Sequence, residues 1–309
     1  MPLDPGLAAL LAPPDPAHLP LPPAAFPTPG VRLLRGVPYL VPDGHRPLEL
    51  DLWLPDRPGG PLPVVLFVHG GAWRTGLRDD MGPAFRSWQP GPFARLAQAG
   101  FAVACPVYRL SGEAVHPTQV EDLSAALTWL HARSGELGLD TARTVVWGAS
   151  AGGHLAALLA LTPSRRGSAV PPVTGCVTWY APTDLTALAK DPTDPRSFEA
   201  LMVGGAPADV PDRARDASPV HHVTADAPPF LVLHGSADSL VPSDQGVRLA
   251  AALRAAGAHV GLHLIDGADH LWYGLTDAGV ERCFTLSLEF TRELAVPASG
   301  RPGEATRPD

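Results

Sequence analysis

The chain has little positive charge and almost no lysine. Its 23 Lys and Arg residues are outnumbered by 31 Asp and Glu residues, which gives a formal net charge of −8, and Lys190 is the only lysine. Proteins that bind nucleic acid or anionic membranes usually carry clustered basic residues, because both partners are negatively charged. The composition therefore predicts neither nucleic acid nor a membrane as a partner.

Cysteine is also scarce. The three cysteines, Cys105, Cys176 and Cys283, are far apart in the sequence and lie in apolar segments. An odd number of widely separated cysteines predicts buried free thiols rather than disulfides, and no paired-cysteine spacing suits a metal ion. We therefore expect no metal and no other cofactor.

Long apolar runs are missing too. No stretch reaches the roughly eighteen uninterrupted apolar residues of a membrane-spanning helix. The sequence begins Met1-Pro2-Leu3-Asp4-Pro5, without a positive charge before its apolar residues, so we expect no signal peptide and a cytoplasmic location. With 45% hydrophobic and 17% charged residues, the 309-residue chain has the composition of a soluble globular protein and the length for one large domain.

Short apolar runs without alternating polarity predict strands buried on both faces, as in a parallel sheet. Six such runs cover residues 64–68, 102–105, 145–147, 173–179, 230–233 and 260–265. An opening hairpin is predicted at 37–40 and 48–54, and helices at 93–99, 117–133, 153–161, 244–256 and 276–294. This alternation predicts an α/β fold with a mostly parallel eight-stranded sheet flanked by helices.

Proline and glycine mark the expected boundaries of the domain. Residues 1–30 are rich in proline and should wrap over the surface or stay mobile, and residues 296–309 should form a disordered tail. A single domain is expected over 31–295. A connection as long as 184–228 is usually functional in a compact domain, so we expect it to form a small lid over a pocket.

The segment around Ser150 has the pattern of a nucleophile elbow. A short apolar strand is followed by the spacing Gly148-x-Ser150-x-Gly152 and then by a helical run. A sharp turn between strand and helix would strain the serine backbone and leave no room for side chains two residues away. The pattern therefore predicts an exposed, nucleophilic Ser150 hydroxyl.

Two further residues complete a catalytic triad in the order that α/β-hydrolases require. Asp238 follows the predicted strand at 230–233, and His270 follows the one at 260–265. Catalytic groups in such sheets gather at the carboxyl ends of the strands, and the order Ser150, Asp238, His270 fits the fold. We predict that His270 is the base and that Asp238 orients it.

The loop at 69–73 follows the first of the buried strands and contains consecutive small residues. Such a loop can turn its main-chain N–H groups toward a developing oxyanion, and a second donor is expected from Ala151, the residue after the nucleophile. The loop thus predicts an oxyanion hole beside Ser150.

Five segments together resemble the α/β-hydrolase fold esterases. These are His69-Gly70-Gly71-Ala72-Trp73, Tyr108-Arg109-Leu110, Gly148-Ala149-Ser150-Ala151-Gly152-Gly153-His154, Ala181-Pro182-Thr183-Asp184-Leu185 and His234-Gly235-Ser236-Ala237-Asp238-Ser239-Leu240-Val241-Pro242. Over about residues 35–292 the chain is similar to bacterial carboxylesterases related to feruloyl and acetyl xylan esterases and to kynurenine formamidase. The resemblance implies an oxyanion hole formed by the N–H groups of Gly71, Ala72 and Ala151.

The chain also resembles hormone-sensitive-lipase-like esterases, with two departures. Ala72 stands where those enzymes usually have a third glycine, and Ala149 replaces the acidic residue that commonly precedes their serine. The resemblance to this second group is therefore looser.

Several other residues have a structural interpretation beside a functional one. His69 and His234 are expected to hold loops through hydrogen bonds, and Asp266 and Asp269 compete with Asp238 for the role of the acid but suit a turn better. Four aromatic residues near strand ends are predicted to line the substrate pocket, with core packing as the alternative. They are Trp73, Tyr108, Trp179 and Trp272.

The sequence thus predicts a serine carboxylic ester hydrolase that acts on small soluble esters through an acyl-enzyme intermediate. The same residues would serve an arylformamidase of the kynurenine formamidase type, which needs only a different pocket. A non-catalytic binding protein on this fold is a third interpretation, although such proteins usually lose a member of the triad. The oligomeric state stays open between a monomer and a homodimer.

Overall fold

The computed structural model describes residues 13–165, 170–188 and 190–295. The described residues form one nine-stranded sheet with the order β1-β2-β3-β5-β4-β6-β7-β8-β9. The strands are β1 Ala25–Thr28, β2 Val31–Leu40, β3 Leu48–Pro55, β4 Leu62–Val68, β5 Ala102–Pro106, β6 Leu139–Ala149, β7 Gly175–Trp179, β8 Phe230–Gly235 and β9 Val260–Ile265.

The sheet is mostly parallel, as the sequence predicts. Strands β4 to β9 pair in parallel, while β1, β2 and β3 pair antiparallel at one edge. The chain winds outward from β4 in both directions, because β5 lies on one side of it and β6 on the other. A ligand site is expected in such a sheet at the carboxyl ends of these central strands.

The predicted number of eight strands is wrong, because the N-terminal segment contributes a ninth. Residues Ala25–Thr28 pair antiparallel with β2, although this stretch includes Pro27 and falls within the predicted extension. Proline is tolerated there because β1 is an edge strand, where an N–H can be missing without breaking a ladder. The helical possibility at 7–11 and the predicted tail at 296–309 lie outside the described residues.

Helices cover both faces of the sheet. Those in the described residues are α1 Pro92–Gln98, α2 Thr118–Ala132, α3 Ser134–Leu137, α4 Ala151–Leu161, α5 Phe198–Val203, α6 Pro211–Asp216, α7 Asp244–Ala255 and α8 Asp277–Ala295. Apolar residues of α2, α4 and α7 form the core on one face, and those of α1 and α8 form the core on the other. No helix in the described ranges has both the length and the apolar character to cross a membrane.

The first residues that the structure describes run over the surface before β1. Their main-chain carbonyls accept hydrogen bonds from α2 and from the residue after it: the Trp129 indole N–H donates to Pro16, and the Arg133 guanidinium donates to Ala17 and Leu19. The described part of this segment is therefore held to the body of the domain by polar contacts.

Candidate active site

Ser150 lies at the sharp turn between β6 and α4. Its backbone has φ 55° and ψ −126°, a combination that non-glycine residues rarely adopt. The turn is held from both sides, because the Ser150 N–H donates to the Trp179 carbonyl at 2.8 Å and the His154 N–H donates to the Ser150 carbonyl at 3.0 Å. The nucleophile candidate therefore has a strained but well-anchored backbone.

The two glycines that flank Ser150 are needed because backbone atoms approach them closely. A Cβ added at Gly148 would overlap the main chain of Gly152, and one added at Gly152 would overlap the carbonyl oxygen of Val68. The second contact joins the start of α4 to the end of β4. The small residues thus allow the elbow to lie directly against the loop that follows β4.

Substituting Gly152 with alanine should destabilise the fold even though alanine is the better helix former. The added methyl group has no space beside the Val68 carbonyl, and overpacking of this kind costs about 1–3 kcal/mol of the free energy of unfolding. Chemical denaturation should show this loss. Gly135→Ala in α3 is the matched control, because a Cβ there meets nothing within 4 Å. Equal stabilities of the two variants would contradict the explanation.

The structure brings Ser150, Asp238 and His270 together in one hydrogen-bonded line. The His270 Nε2 lies 3.0 Å from the Ser150 Oγ, and its Nδ1 lies 2.8 Å from the Asp238 Oδ2. His270 is only 6% exposed and Ser150 only 8%. Three segments far apart in sequence therefore converge with the contacts that a nucleophile, a base and an orienting acid require.

The Asp238 carboxylate is fully buried and accepts hydrogen bonds at both oxygens. Its Oδ1 accepts the N–H groups of Leu240 and Val241 at 3.0 and 2.8 Å, while its Oδ2 faces His270 and lies 3.4 Å from the Nε2 of His234. Burial by itself raises the pKa of Asp238, but the hydrogen bonds from His234, His270 and the Val241 N–H outweigh it. The pKa is therefore held well below its ordinary value, and the group stays ionised.

Asp266 and Asp269, the competing acids, have other positions. Neither carboxylate bonds to the imidazole ring of His270. Asp266 is exposed, whereas the Asp269 Oδ1 accepts the main-chain N–H groups of His270 at 2.6 Å and of Ser239 at 2.7 Å. These bonds, with the pairing of Asp238 to the ring, favour Asp238 as the acid.

The loop after β4 has the backbone of an anion-binding turn. Gly71, Ala72 and Trp73 all have positive φ, at 110°, 52° and 57°. No hydrogen bond among the described residues uses the N–H of Gly71 or Ala72, and the N–H of Ala151 begins helix α4, where it has no partner within the helix. Gly71, Ala72 and Ala151 all line the cavities that contain Ser150.

His154 links this loop to the segment at 184–228. Its ring is fully buried, accepts the Trp73 indole N–H at Nδ1 (3.1 Å) and contacts the Ala217 carbonyl through Nε2 at 2.6 Å. Burial lowers the pKa of His154 to about 3, so the ring stays neutral and can accept one bond while donating the other. The sequence reasoning did not single out this histidine, although it follows the elbow directly.

His69 and His234 have the structural positions expected of them. The His69 ring stacks on Tyr108 with centroids 4.5 Å apart, and its Nδ1 lies 2.8 Å from the Gly70 carbonyl. The His234 Nε2 lies 2.9 Å from the Val241 carbonyl and so fixes the turn that carries Asp238. Each histidine supports a loop that reaches Ser150.

A protein-family model described as BD-FAE matches residues 50–253, which include the loop after β4, Ser150 and Asp238. The chain belongs to the BD-FAE family.

Relatives of this BD-FAE chain include named esterases. Esterase LipC of Mycobacterium tuberculosis (strain ATCC 25618 / H37Rv) is 35% identical over 243 residues, which cover 74% of this chain and 58% of LipC. The chain spans only 53 to 58% of the length of LipC and of two other curated relatives from that organism, LipM and LipQ.

Two solved structures show the same architecture as this BD-FAE chain. A truncated form of a carbohydrate esterase from gut microbiota has a TM-score of 0.73 and 26% identity, and covers 85% of this chain and 96% of its own. A bacterial heroin esterase has a TM-score of 0.69 and 30% identity, and covers 87% and 86%. The expected α/β-hydrolase fold is thereby confirmed.

Two cavities of the BD-FAE chain meet at Ser150. The wider one, of about 290 Å³, has Leu77, Met81, Arg86, Tyr180 and Leu271 among its lining residues. The narrower one, of about 40 Å³, lies between the loop after β4 and the segment at 184–228, with Trp73, Leu188, Phe198, Glu199 and Leu240 on its wall. Ser150 therefore forms part of the wall of both cavities.

Two larger grooves, of about 670 and 680 Å³, lie away from the triad. One adjoins Leu62 at the start of β4, and the other adjoins Val173 and Pro229 just before β7 and β8. Both are at the amino ends of the strands, whereas sheets of this class hold their ligands at the carboxyl ends. Size alone therefore does not identify the site.

The predicted aromatic lining is corrected at three of four positions. Trp73 lines the narrower cavity, but Tyr108, Trp179 and Trp272 line neither cavity. The Tyr108 hydroxyl donates to the His69 carbonyl, and the Trp179 indole donates to Ser287 in α8. These three side chains pack in the interior of the domain, next to the site.

Tyr180, like Phe198, is a lining aromatic that the sequence reasoning did not name. It directly follows β7, has φ 37°, and its ring makes an edge contact with His270 at 4.7 Å between centroids. Its place just past a strand end was the available signal.

Among the described residues, no group of three or more His, Cys, Asp or Glu side chains is placed to hold a metal ion.

Proposed function

We propose that the chain is a serine carboxylic ester hydrolase that acts on small soluble esters. The observation that carries the proposal is the hydrogen-bonded line from Asp238 through His270 to Ser150, in a site whose Gly71 and Ala72 N–H groups have no hydrogen-bond partner among the described residues. The esterase names of LipC and of the two solved structures support the same reaction class. The proposal goes beyond them because the chain spans only part of the length of the curated relatives.

The first half of the proposed reaction forms an acyl-enzyme. The Asp238 carboxylate holds the Nδ1–H tautomer of His270, which leaves Nε2 free to accept the Ser150 proton as Oγ attacks the ester carbonyl. The N–H groups of Gly71, Ala72 and Ala151 would stabilise the oxyanion, each donor being worth about 10²- to 10³-fold in rate. His270 then gives its proton to the departing alcohol.

The second half hydrolyses the acyl-enzyme by the same roles. His270 accepts a proton from water, the resulting hydroxide attacks the acyl carbonyl, and the Ser150 oxygen leaves with the proton from His270. Since all three triad members come from one chain, the chemistry is available to a monomer or a homodimer alike. No metal or other cofactor takes part in the proposed reaction.

We also propose that residues 184–228 form a lid over the site. Leu188, Phe198 and Glu199 from this segment line the narrower cavity, and Ala217 is bonded to His154 behind the oxyanion loop. A cytoplasmic location is proposed as well. Its support is that Cys105, Cys176 and Cys283 are free and buried, as is usual in a reducing compartment.

The substrate class is tested by comparing esters with a formyl amide. We expect the purified protein to hydrolyse acetyl and butyryl nitrophenyl esters, with a kcat/KM at least about tenfold above that for N-formylkynurenine, because the machinery favours the better leaving group. A fluorophosphonate probe should label Ser150 in the same preparation. Preference for the formyl amide would assign the arylformamidase reaction instead, and an unlabelled, inactive protein would support a binding role.

A further inference from the structure

We propose that Asp269 is a positioning residue that sets the distance between the acid and the base of the triad through their main chains. The proposal rests on the proposed hydrolase function. One oxygen of Asp269 accepts the N–H of Ser239, the residue after Asp238, and also the N–H of His270. A single side-chain atom thus ties together the two loops that carry the acid and the base.

We call these bonds of the Asp269 carboxylate the clamp. They are short, and a third bond joins them. The Asp269 Oδ1 lies 2.7 Å from the Ser239 nitrogen and 2.6 Å from the His270 nitrogen, and its Oδ2 accepts the Ser239 hydroxyl at 3.1 Å. These donors are the main reason that the pKa of Asp269 is lowered, so the carboxylate is the form present near neutral pH. Three donors therefore converge on one ionised side chain.

The backbone on the histidine side needs such support. Leu271 and Trp272, which follow His270, have φ 60° and 67°, in the left-handed region that non-glycine residues rarely occupy. The Asp269 N–H closes the same turn by donating to the Tyr273 carbonyl at 2.8 Å. Without the Asp269 side chain, the turn would keep the main-chain bond from the Ala237 N–H to the Ala268 carbonyl at 3.0 Å. It would lose the bonds to Ser239 and to the His270 N–H, so that His270 could relax away from Asp238.

The acid loop has its own internal support, which makes the role of Asp269 separable. Asp238 accepts the N–H groups of Leu240 and Val241, and these bonds shape the turn without connecting it to His270. Between the two loops, the ring contact of His270 with Asp238 is a bond of the triad itself. The Ala237 N–H also joins the loops by donating to the Ala268 carbonyl at 3.0 Å. The Asp269 bonds add a second connection, at the residue after the acid and at the base itself.

An asparagine at position 269 can keep this connection. Its amide oxygen can accept the same two main-chain N–H groups, and its amide nitrogen can donate to the Ser239 hydroxyl. Alanine keeps none of these bonds. Comparing the two variants therefore separates the clamp from the negative charge, since both variants lose the charge and only one loses the acceptor.

The test measures kcat and KM for a short-chain nitrophenyl ester with Asp269→Ala, Asp269→Asn and Asp266→Ala. We expect Asp269→Ala to lower kcat about 10- to 100-fold with KM within about threefold, because a displacement near 1 Å has effects of this size. Asp269→Asn should retain kcat within about threefold. Asp266→Ala removes an exposed carboxylate from the same loop and should match the wild type.

A second readout does not depend on turnover. The proton between His270 Nδ1 and Asp238 gives a downfield proton resonance, identified by its loss in His270→Ala. This resonance should persist in Asp269→Asn and shift or broaden in Asp269→Ala at a temperature where both are folded. An inactive wild type that still shows this pattern would reject the hydrolase function and retain the clamp. The clamp is overturned if Asp269→Ala behaves as Asp266→Ala in both readouts, or if Asp269→Asn loses as much as Asp269→Ala.

Discussion

Replacing Ser150 with alanine should lower kcat for short-chain nitrophenyl esters by at least about 10⁴-fold. The Oγ is the atom that would attack the carbonyl, and its only side-chain hydrogen bond among the described residues is with His270 Nε2 at 3.0 Å. The elbow itself should survive, because the main-chain bonds of residue 150 to Trp179 and His154 do not use the hydroxyl. The loss should therefore fall on kcat while the free energy of unfolding changes little.

Covalent labelling by a fluorophosphonate, with a second serine variant as the control, tests whether the lost activity is specific to Ser150. The fluorophosphonate adduct should disappear in Ser150→Ala and remain in Ser243→Ala, where the hydroxyl precedes α7 without making a capping hydrogen bond. Turnover by Ser150→Ala within tenfold of the wild type would show that another residue is the nucleophile, and the proposed mechanism would then be rejected.

The elbow and the order of the triad could be predicted from the sequence because each has a recognisable pattern. A Cβ at Gly148 would overlap Gly152 within the turn, and one at Gly152 would overlap the Val68 carbonyl at the end of β4, so the glycine spacing indicates a tight turn packed against another backbone. Asp238 and His270 each follow an apolar run, and parallel strands bring their carboxyl ends to one edge. The sequence therefore indicated which residues should meet, and the structure supplies the distances.

The direction of a side chain just past a strand could not be predicted in the same way. Trp179 is the last residue of β7 and points into the core against α8, whereas Tyr180, one position later, turns toward His270. Successive residues of a strand face opposite sides, and the positive φ of Tyr180 changes the direction again. Adjacency to a strand end thus indicates proximity to the site but does not distinguish a lining residue from a supporting one.

The ninth strand was missed for a different reason. Residues 25–28 contain a proline and have exposed or half-buried side chains, so no apolar pattern indicates a strand there. The segment is held as a strand by pairing with β2, which is a tertiary contact. Edge strands formed in this way carry little signal of their own.

Asp238 and Asp269 are both candidates for the acid of the triad, and their contacts with His270 distinguish them. Both are aspartates in turns that reach the same edge of the sheet, and residue type alone favours neither. The structure separates them by which atoms of His270 they contact: the ring for Asp238 and the main-chain N–H for Asp269. The two carboxylates therefore predict opposite responses to the same substitution by asparagine.

Asp238→Asn should lower kcat/KM near neutral pH by about 10³- to 10⁴-fold while leaving the fold intact. The amide oxygen would remain on the N–H groups of Leu240 and Val241, which require an acceptor, and the amide NH₂ would then face His270 Nδ1. The ring would adopt the Nε2–H tautomer to accept that bond. In this form Nε2 has no lone pair for the Ser150 proton, so the nucleophile is no longer activated.

The measurement compares kcat/KM of Asp238→Asn with that of Asp266→Asn, which removes a charge from an exposed position nearby. Asp266→Asn should match the wild type, because that carboxylate makes no hydrogen bond within the described residues. A loss below tenfold in Asp238→Asn would remove it from the triad. If Asp269→Asn showed the large loss instead, the acid would be Asp269, and the ring contact seen at Asp238 would not be the one that matters for turnover.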